Sequence, residues 1–261
     1  MKPLIVPALS HKGGSGKSTA IINLLVAAHL DGVVAIALDV DDGASSSDWY
    51  AARTNKARLQ QVVVDKLRAP AWDDGNAEMA RMLDDVAAEY AMPLVQPTHH
   101  AGIAAQLEVA EQQGVEMVFI DTKAGTERAT MAALEAADAV ILPMAVSQMD
   151  LRQSLQTVRL CNAEGKRPFV LLGDFDAQGP EMQEMRAGLE AADVTVIPGG
   201  FGHRKAYKRS LIPGLGVMEY DPKGTAAEEV ASVYRYLRKV LDSKRVSTPE
   251  SKRVRKVARH G

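Results

Sequence analysis

A short apolar segment, Leu4 to Leu9, runs into ten small or charged residues, Ser10-His11-Lys12-Gly13-Gly14-Ser15-Gly16-Lys17-Ser18-Thr19, and then into an Ala- and Leu-rich stretch with helical spacing that ends near Leu30. The first segment reads as a buried strand and the last as a helix, so the chain begins strand, glycine-rich loop, helix. A loop in that context suits a nucleoside triphosphate. Its glycines let the backbone approach, and its N–H groups and the positive end of the helix point at phosphate oxygens. Lys17 supplies a point charge and Ser18 a hydroxyl for Mg²⁺. The candidate binding set is Lys12, Gly13, Gly14, Ser15, Gly16, Lys17, Ser18 and Thr19. The strict motif carries Gly at position 11; here His11 stands there, and the added Lys12 marks a variant loop. Pro7 cannot donate to a ladder, which predicts an irregularity in the first strand.

The rest of the chain alternates. Val33 to Asp39 reads as a strand, Asp48 to Arg53 as a short helix and Gln61 to Val64 as another strand. Helical spacing covers Ala77 to Tyr90 and Ile103 to Gln113, with Pro93 and Pro97 as breaks between them. Strands are expected at Val115 to Asp121, Ala139 to Pro143, Phe169 to Leu172 and Val194 to Ile197. Between them fall helices near Glu127 to Ala137, Leu151 to Ala163 and Glu181 to Ala192. Short Val/Ile-rich strands alternating with helices imply a doubly wound α/β domain, with a mostly parallel sheet and helices on both faces. Ligands bind such sheets beyond the carboxyl ends of the strands, where the loop lies.

A phosphate loop that also handles a metal needs carboxylates at neighbouring strand ends. Val118-Phe119-Ile120-Asp121 is an apolar strand ending in an acid, placed to hold Mg²⁺ directly or through water opposite Ser18. Asp39, Asp41 and Asp42 end a second strand and precede a Gly/Ser/Ala segment of the kind a γ-phosphate orders. Asp41 is the candidate to orient the attacking water or join the metal shell, Asp42 fits a solvated turn, and Asp39 reads equally as structural or functional. The metal set is Ser18, Asp41 and Asp121; the catalytic set is Lys12, Lys17 and Asp41.

The 261 residues carry a formal net charge of −2, but the charge is uneven. Residues 244–261 hold seven Lys/Arg and one Glu, leaving a body with 24 basic and 32 acidic residues, net −8. One domain over residues 1–243 and a basic, disordered tail are expected; the tail can touch nucleic acid or acidic lipid, or merely solubilise the chain. No long apolar run or charged-apolar leader is present, so neither a membrane span nor a signal peptide is indicated and a cytoplasmic protein is expected. The single Cys161 reads as a buried reduced thiol, and a cysteine-based zinc site is excluded.

Together these residues resemble the ParA/MinD family of deviant Walker ATPases, over a span from the first strand to about Val240. Lys12 matches the family's signature lysine, Lys17 and Ser18 its phosphate and magnesium ligands, Asp41 its switch acid and Asp121 its second metal-site acid. Asp121-Thr122-Lys123-Ala124-Gly125 fits the second switch, and Leu142-Pro143 with Ser147 and Asp150-Leu151 fits the strand-turn-helix beyond it. Residues 202–209, with Gly216-Val217, Glu219 to Gly224 and Ala226 to Val230, are similar to the small plasmid-partition ATPases of ParF type. Two departures stand out. Asp42 and Gly43 follow Asp41 where Pro and Gln are common, and Gly173-Asp174 replaces an Asn-containing strand end near the base.

The resemblance implies ATP and Mg²⁺ as cofactors and a face-to-face homodimer in which Lys12 of one copy reaches the phosphates of the other. It implies weak ATP hydrolysis stimulated by a partner, non-specific ATP-dependent binding to DNA, and a location on the nucleoid. His203, Arg204, Lys205, Lys208 and Arg209 are the candidate DNA contacts, each reading equally as part of a solvated helix face. Plasmid or DNA partition with a ParB-like or centromere-binding partner is the first functional expectation. The alternative is an accessory ATPase of a conjugative or T-DNA transfer complex that binds DNA and recruits a relaxase. A metallocluster-loading ATPase is disfavoured by the missing cysteine pairs.

Overall fold

The computed structural model describes residues 1–10, 12–41, 43–175 and 180–247. His11, Asp42 and the tail from residue 248 onward therefore lie outside the described residues. In chain order the elements are β1 (Leu4–Ala8), α1 (Lys17–Leu30), β2 (Ala35–Asp39), α2 (Ser45–Arg53), α3 (Lys56–Leu67), α4 (Ala77–Ala91), β3 (Leu94–Pro97), α5 (Ile103–Gln112), β4 (Met117–Asp121) and α6 (Glu127–Ala136). They continue as β5 (Val140–Ala145), α7 (Gln148–Ala163), β6 (Pro168–Phe175), α8 (Glu181–Ala191), β7 (Phe201–Gly202), α9 (Lys205–Leu211), α10 (Val217–Tyr220) and α11 (Thr225–Ser247).

The seven strands form one sheet in the order β3-β2-β4-β1-β5-β6-β7, and every pair is parallel. Successive side chains of a strand point to opposite faces, and the core divides accordingly. Val6, Ala8, Ala37, Phe119, Ile141 and Leu171 pack on one face with α1 and α11. Ile5, Leu38, Ile120, Leu142 and Leu172 pack on the other with residues of α5 to α8. Helix α1 is buried at every residue from Ala20 to Ala28, which explains its nearly all-round apolar sequence.

Chain order reverses between β1 and β5, since β1 leads away to β2 while β5 leads to β6 on the opposite side. A crevice opens beyond the carboxyl ends at such a switch point, and residues 12–16 lie at it. The irregularity expected at Pro7 falls on the β5 side of β1. Pro7 pairs in register with Ile120 of β4. Toward β5, Ala8–Ile141 is the one register pair. The N–H groups of Ile5 and Leu9, either side of Pro7, bond instead to the Asp138 carboxylate and the Ile141 carbonyl.

Three expectations are corrected. Gln61 to Val64 lies inside α3, because Leu59 and Val63, one helical turn apart, bury against Met79 and Val86 of α4. Val194 to Ile197 is not a strand; Val196 makes an isolated bridge to Val170, and the sheet ends with β7, reached through Gly199 and Gly200. Gly200 has φ 159, and a Cβ there would meet the Leu172 carbonyl at 2.4 Å, so the chain passes too close to β6 for a side chain. The proline-flanked break at residues 93–97 contains β3, an edge strand in which Pro97 ends the ladder opposite Asp39. Cys161 is a buried free thiol, its pKa pushed up to about 11 by burial.

Candidate nucleotide site

The loop is held open by its own side chains. Lys17, buried at the first position of α1, donates from Nζ to Ser10 Oγ at 3.0 Å, and Ser15 Oγ donates to the same hydroxyl at 2.7 Å. Ser10 in turn donates to the Lys12 carbonyl at 2.9 Å. Gly14 (φ 74) and Gly16 (φ 91) take left-handed backbone that a side chain would strain. No heavy atom outside their immediate chain neighbours lies within 4 Å of where a Cβ on Gly13 or Gly14 would stand, so the inner face of the loop is free. Helix α1 starts on Gly16 without a side-chain cap and without an acid in its first turn. Its N-terminal N–H groups remain available to an anion.

The acids come from adjacent strand ends. Asp39 and Asp121 are register partners across β2 and β4, and Asp121 is also the partner of Ala8 at the base of the loop. Asp39 is buried and acts as a clamp: its Oδ2 accepts from Ser47 N and Oγ, and its Oδ1 accepts from Asp41 N. Asp121 is fully buried; Oδ2 accepts from Ser46 Oγ at 2.6 Å, while Oδ1 has no partner. Burial pushes its carboxyl up to about 6, against the pull of the Ser46 and Ser18 hydroxyls and the Lys17 charge. Burial likewise lowers the Lys17 ammonium, offset in part by Asp121 and Asp41. After Asp41, the start of α2 is fixed by these Ser46 and Ser47 contacts.

Mg²⁺ fits this donor set. Among the described residues no three His, Cys, Asp or Glu converge on one point. Mg²⁺ needs only one or two carboxylates when phosphates and water complete its shell. The orphaned Oδ1 of Asp121 and the Ser18 hydroxyl are the donors such an ion takes.

Lys12 points away from this cradle. Its Nζ pairs with Asp150 Oδ1 at 2.5 Å, with the lysine side chain 39 % exposed and the aspartate 8 %. Asp150 also receives the Ser147 hydroxyl, and its N–H donates back to Ser147 Oγ, closing the N-terminus of α7. Burial raises the Asp150 carboxyl, but Lys12 and Ser147 hold it below the ordinary range.

Two cavities flank the loop. One, of about 600 Å³, is lined by Gly13 to Thr19, Asp41, Trp49 of α2 and Ile212. The other, of about 470 Å³, lies between Gly14–Gly16, the end of β6 and the start of α9. Its lining includes His203, Arg204, Lys205 and Lys208, four of the five residues expected to face DNA. His203 pairs with Asp174, and Arg204 pairs with Glu229. Tyr207 donates to Glu229 Oε2 at 2.8 Å and is buried with Ser210. That anchor leaves Lys205 and Lys208 exposed at the cavity; Arg209 is the one candidate outside it.

Sequence reasoning missed the residues that brace the site. Ser46 and Ser47 are named above; Asp150 was singled out for the strand-turn-helix it fits, but not as the partner of Lys12. Arg53, at the other end of α2, is 2 % exposed and makes a two-pronged contact with Glu219. It also donates to the carbonyls of Met92 and Gly214. A Ser-x-x-Asp spacing at 147–150 is a helix-start signature that was readable; a buried arginine has no such signal.

A family model described as "ATPase MipZ" matches residues 4–168. The chain is 26 % identical over 243 residues to the maintenance of carboxysome distribution protein A of Gloeobacter kilaueensis, covering 92 % of this chain and 94 % of that one. It is 25 % identical over 258 residues to protein virC1 of Rhizobium radiobacter, covering 90 % and 97 %. The septum site-determining protein MinD of Pyrococcus horikoshii, solved with Mg-ADP, superposes with a TM-score of 0.61 at 16 % identity, covering 91 % and 97 %. With the phosphate loop, the paired strand-end acids and the outward Lys12 in place, the chain belongs to the MipZ family of ATPases, of ParA/MinD type.

Proposed function

We propose that this ATPase is a nucleotide-controlled dimer that binds DNA and partitions or positions a DNA cargo. The outward Lys12 carries the reading. Lys17 already occupies the interior of the loop, so a second lysine facing away has no work within its own cradle. Placed against the phosphates of a facing copy, and desolvated there, it offsets charge developing on the transferring phosphoryl group.

ATP with Mg²⁺ is the nucleotide this site takes, as the Mg-ADP of the MinD relative supports. Mg²⁺ bound there would supply positive charge that offsets the charge of the phosphates. The chain supplies the rest. Lys17 and the loop N–H groups hold the phosphates, Ser18 and Asp121 hold the ion, and Asp41 orients water and receives its proton. Asp39 fixes the backbone of Asp41 through its N–H. His203, Arg204, Lys205 and Lys208, on the rim of the groove, serve the nucleotide in this reading rather than DNA. Residues 1–243 form one ATPase unit, with the basic stretch after it as an accessory.

A second reading is favoured by the likeness to protein virC1 across 97 % of that chain: an accessory ATPase of a DNA-transfer complex. The two separate in a binding assay with random and transfer-origin duplexes, with and without ATP. Partition predicts ATP-dependent binding to both. Selective binding to transfer-origin DNA favours the second reading, and random-duplex binding that ignores nucleotide counts against the partition cycle.

A further inference from the structure

With four of the five expected DNA contacts on the rim of the nucleotide groove, a different surface must meet DNA if the reading above holds. Among the described residues only two buried side-chain nitrogen or oxygen atoms lack a hydrogen-bond partner, Asp121 Oδ1 and Arg238 Nη1. The first faces the nucleotide chemistry. The second belongs to α11, at the far end of α1.

Helix α11 buries Val230, Val233, Tyr234, Leu237 and Leu241, a helical stripe that turns the opposite side outward. Arg235 and Lys239, one turn apart, are exposed on that side, and Arg238 lies beside them half-buried. Arg235 and Arg238 line a groove of about 290 Å³ whose floor includes Ala27, Leu30 and Met218. One neighbouring acid is engaged by a tyrosine and the other pairs with Arg238, which leaves Arg235 and Lys239 as the open cations of the strip. Asp31 accepts the Tyr234 hydroxyl at 3.0 Å, and Asp242 stands 3.7 Å from Arg238 Nη2. Arg235 donates from Nε to its own helix at the Ala231 carbonyl, which leaves its terminal nitrogens outward.

We propose that Arg235, Arg238 and Lys239 form a surface that grips the phosphodiester backbone of DNA; this rests on the DNA-binding reading above. Arg238 Nη1 is itself buried, so Arg238 lends charge while the exposed Arg235 and Lys239 make the contacts, and cations spaced along one helix face match a row of phosphates rather than a single ion. The chain that follows points to nucleic acid rather than lipid. Residues 244–261 add seven Lys/Arg against one Glu and contain no Leu, Ile, Met, Phe, Trp or Tyr to enter a bilayer. The strip is about 20 Å from the loop along α1, by the rise of a helix of that length, so it does not touch nucleotide. Pairing two copies doubles the surface, which makes DNA affinity follow the nucleotide state through avidity.

The test is fluorescence anisotropy of a short random-sequence duplex with full-length protein and ATP, across a salt series. Arg235→Ala/Lys239→Ala, both exposed, is compared with Lys205→Ala/Lys208→Ala and with wild type. The first variant is expected to bind at least roughly tenfold more weakly, with the log–log salt slope shallower by about 2, near 0.9 for each lost phosphate contact. The second is expected to lose ATP affinity and, once ATP is raised to saturate it, to keep the wild-type slope. An unchanged slope in Arg235→Ala/Lys239→Ala, while wild type binds DNA, overturns this surface and leaves the DNA reading standing. Transfer of the slope change to Lys205→Ala/Lys208→Ala does the same. Wild type that binds no DNA in either nucleotide state overturns the DNA reading itself. Retention on phosphatidylserine vesicles in place of DNA overturns the choice of partner.

Discussion

Helices α3 and α4 begin on asparagines, and α1 begins on a glycine. Asn55 Oδ1 accepts from Arg58 N, and Asn76 Oδ1 accepts from Glu78 N and Met79 N, so both helix starts are closed by their own side chains. Gly16 offers no such group, and α1 opens directly into the phosphate loop. The pair α3–α4 packs around Leu59, Val63, Val64, Met79 and Val86 and contains none of the site residues. At the loop, by contrast, a buried lysine, a buried carboxylate with one oxygen unpartnered and two left-handed glycines are gathered in one place. One region closes its helix starts with its own side chains and holds structure. The other leaves donors and acceptors open, a cost that bound phosphates and metal offset.

Substitutions in the two regions should therefore act on different measurements. At the open end, Asp41→Ala is expected to lower turnover by about 10²–10⁴-fold, the usual worth of a positioned base. Thermal stability should change little, because Asp41 is partly exposed and its side chain's recorded bond is to Gly43 N. Single-turnover hydrolysis beside a melting curve checks both halves. At the closed end, Leu59→Ala removes a buried side chain from the small cluster and should cost about 2–5 kcal/mol in denaturant unfolding. Hydrolysis by the folded fraction should stay at the wild-type rate; a loss of turnover there would dissolve the contrast.

Asp121 sharpens the comparison through pH. Its carboxyl is raised from 3.8 to about 6, so ionisation opposes folding increasingly as pH rises through that window, and the full cost stands above it. Two pH units correspond to about 3 kcal/mol at most. Asp121→Asn is expected to stabilise the nucleotide-free protein at about pH 8 and to lose that advantage near pH 4, in melting curves without metal. An equal effect at both would mean that Asp121 is not a stored cost. The smallest effect belongs to a cap: Asn76→Ala should destabilise by about 0.5–2 kcal/mol and leave ATP affinity unchanged in calorimetry.

The loop and the β4 acid were legible because their chemistry is local: a strand, small residues and one charged residue at a fixed offset. The sheet was legible where strands were Val/Ile-rich and central. It failed at β3, where prolines on both flanks read as breaks, and at residues 61–64, where three valines in a row fit a strand or a buried helix face equally. The bracing residues were the least visible. Ser46 and Ser47 meet Asp121 and Asp39 only because α2 starts where β2 and β4 end. Arg53 meets Glu219 across 166 residues of sequence. Such contacts are set by topology, which a linear pattern does not carry. The placement of the basic run at 203–209 was hidden for the same reason, since Tyr207 meets Glu229 across 22 residues of sequence and the run borders the groove.

The account turns on Lys12 acting outside its own subunit. Sedimentation velocity of wild type and Lys12→Ala, each with Mg²⁺ and ATP, tests this directly. Wild type should shift from monomer to dimer on adding ATP, and Lys12→Ala should bind ATP yet remain monomeric. A Lys12→Ala protein that dimerises with ATP and hydrolyses it at the wild-type rate would contradict the account.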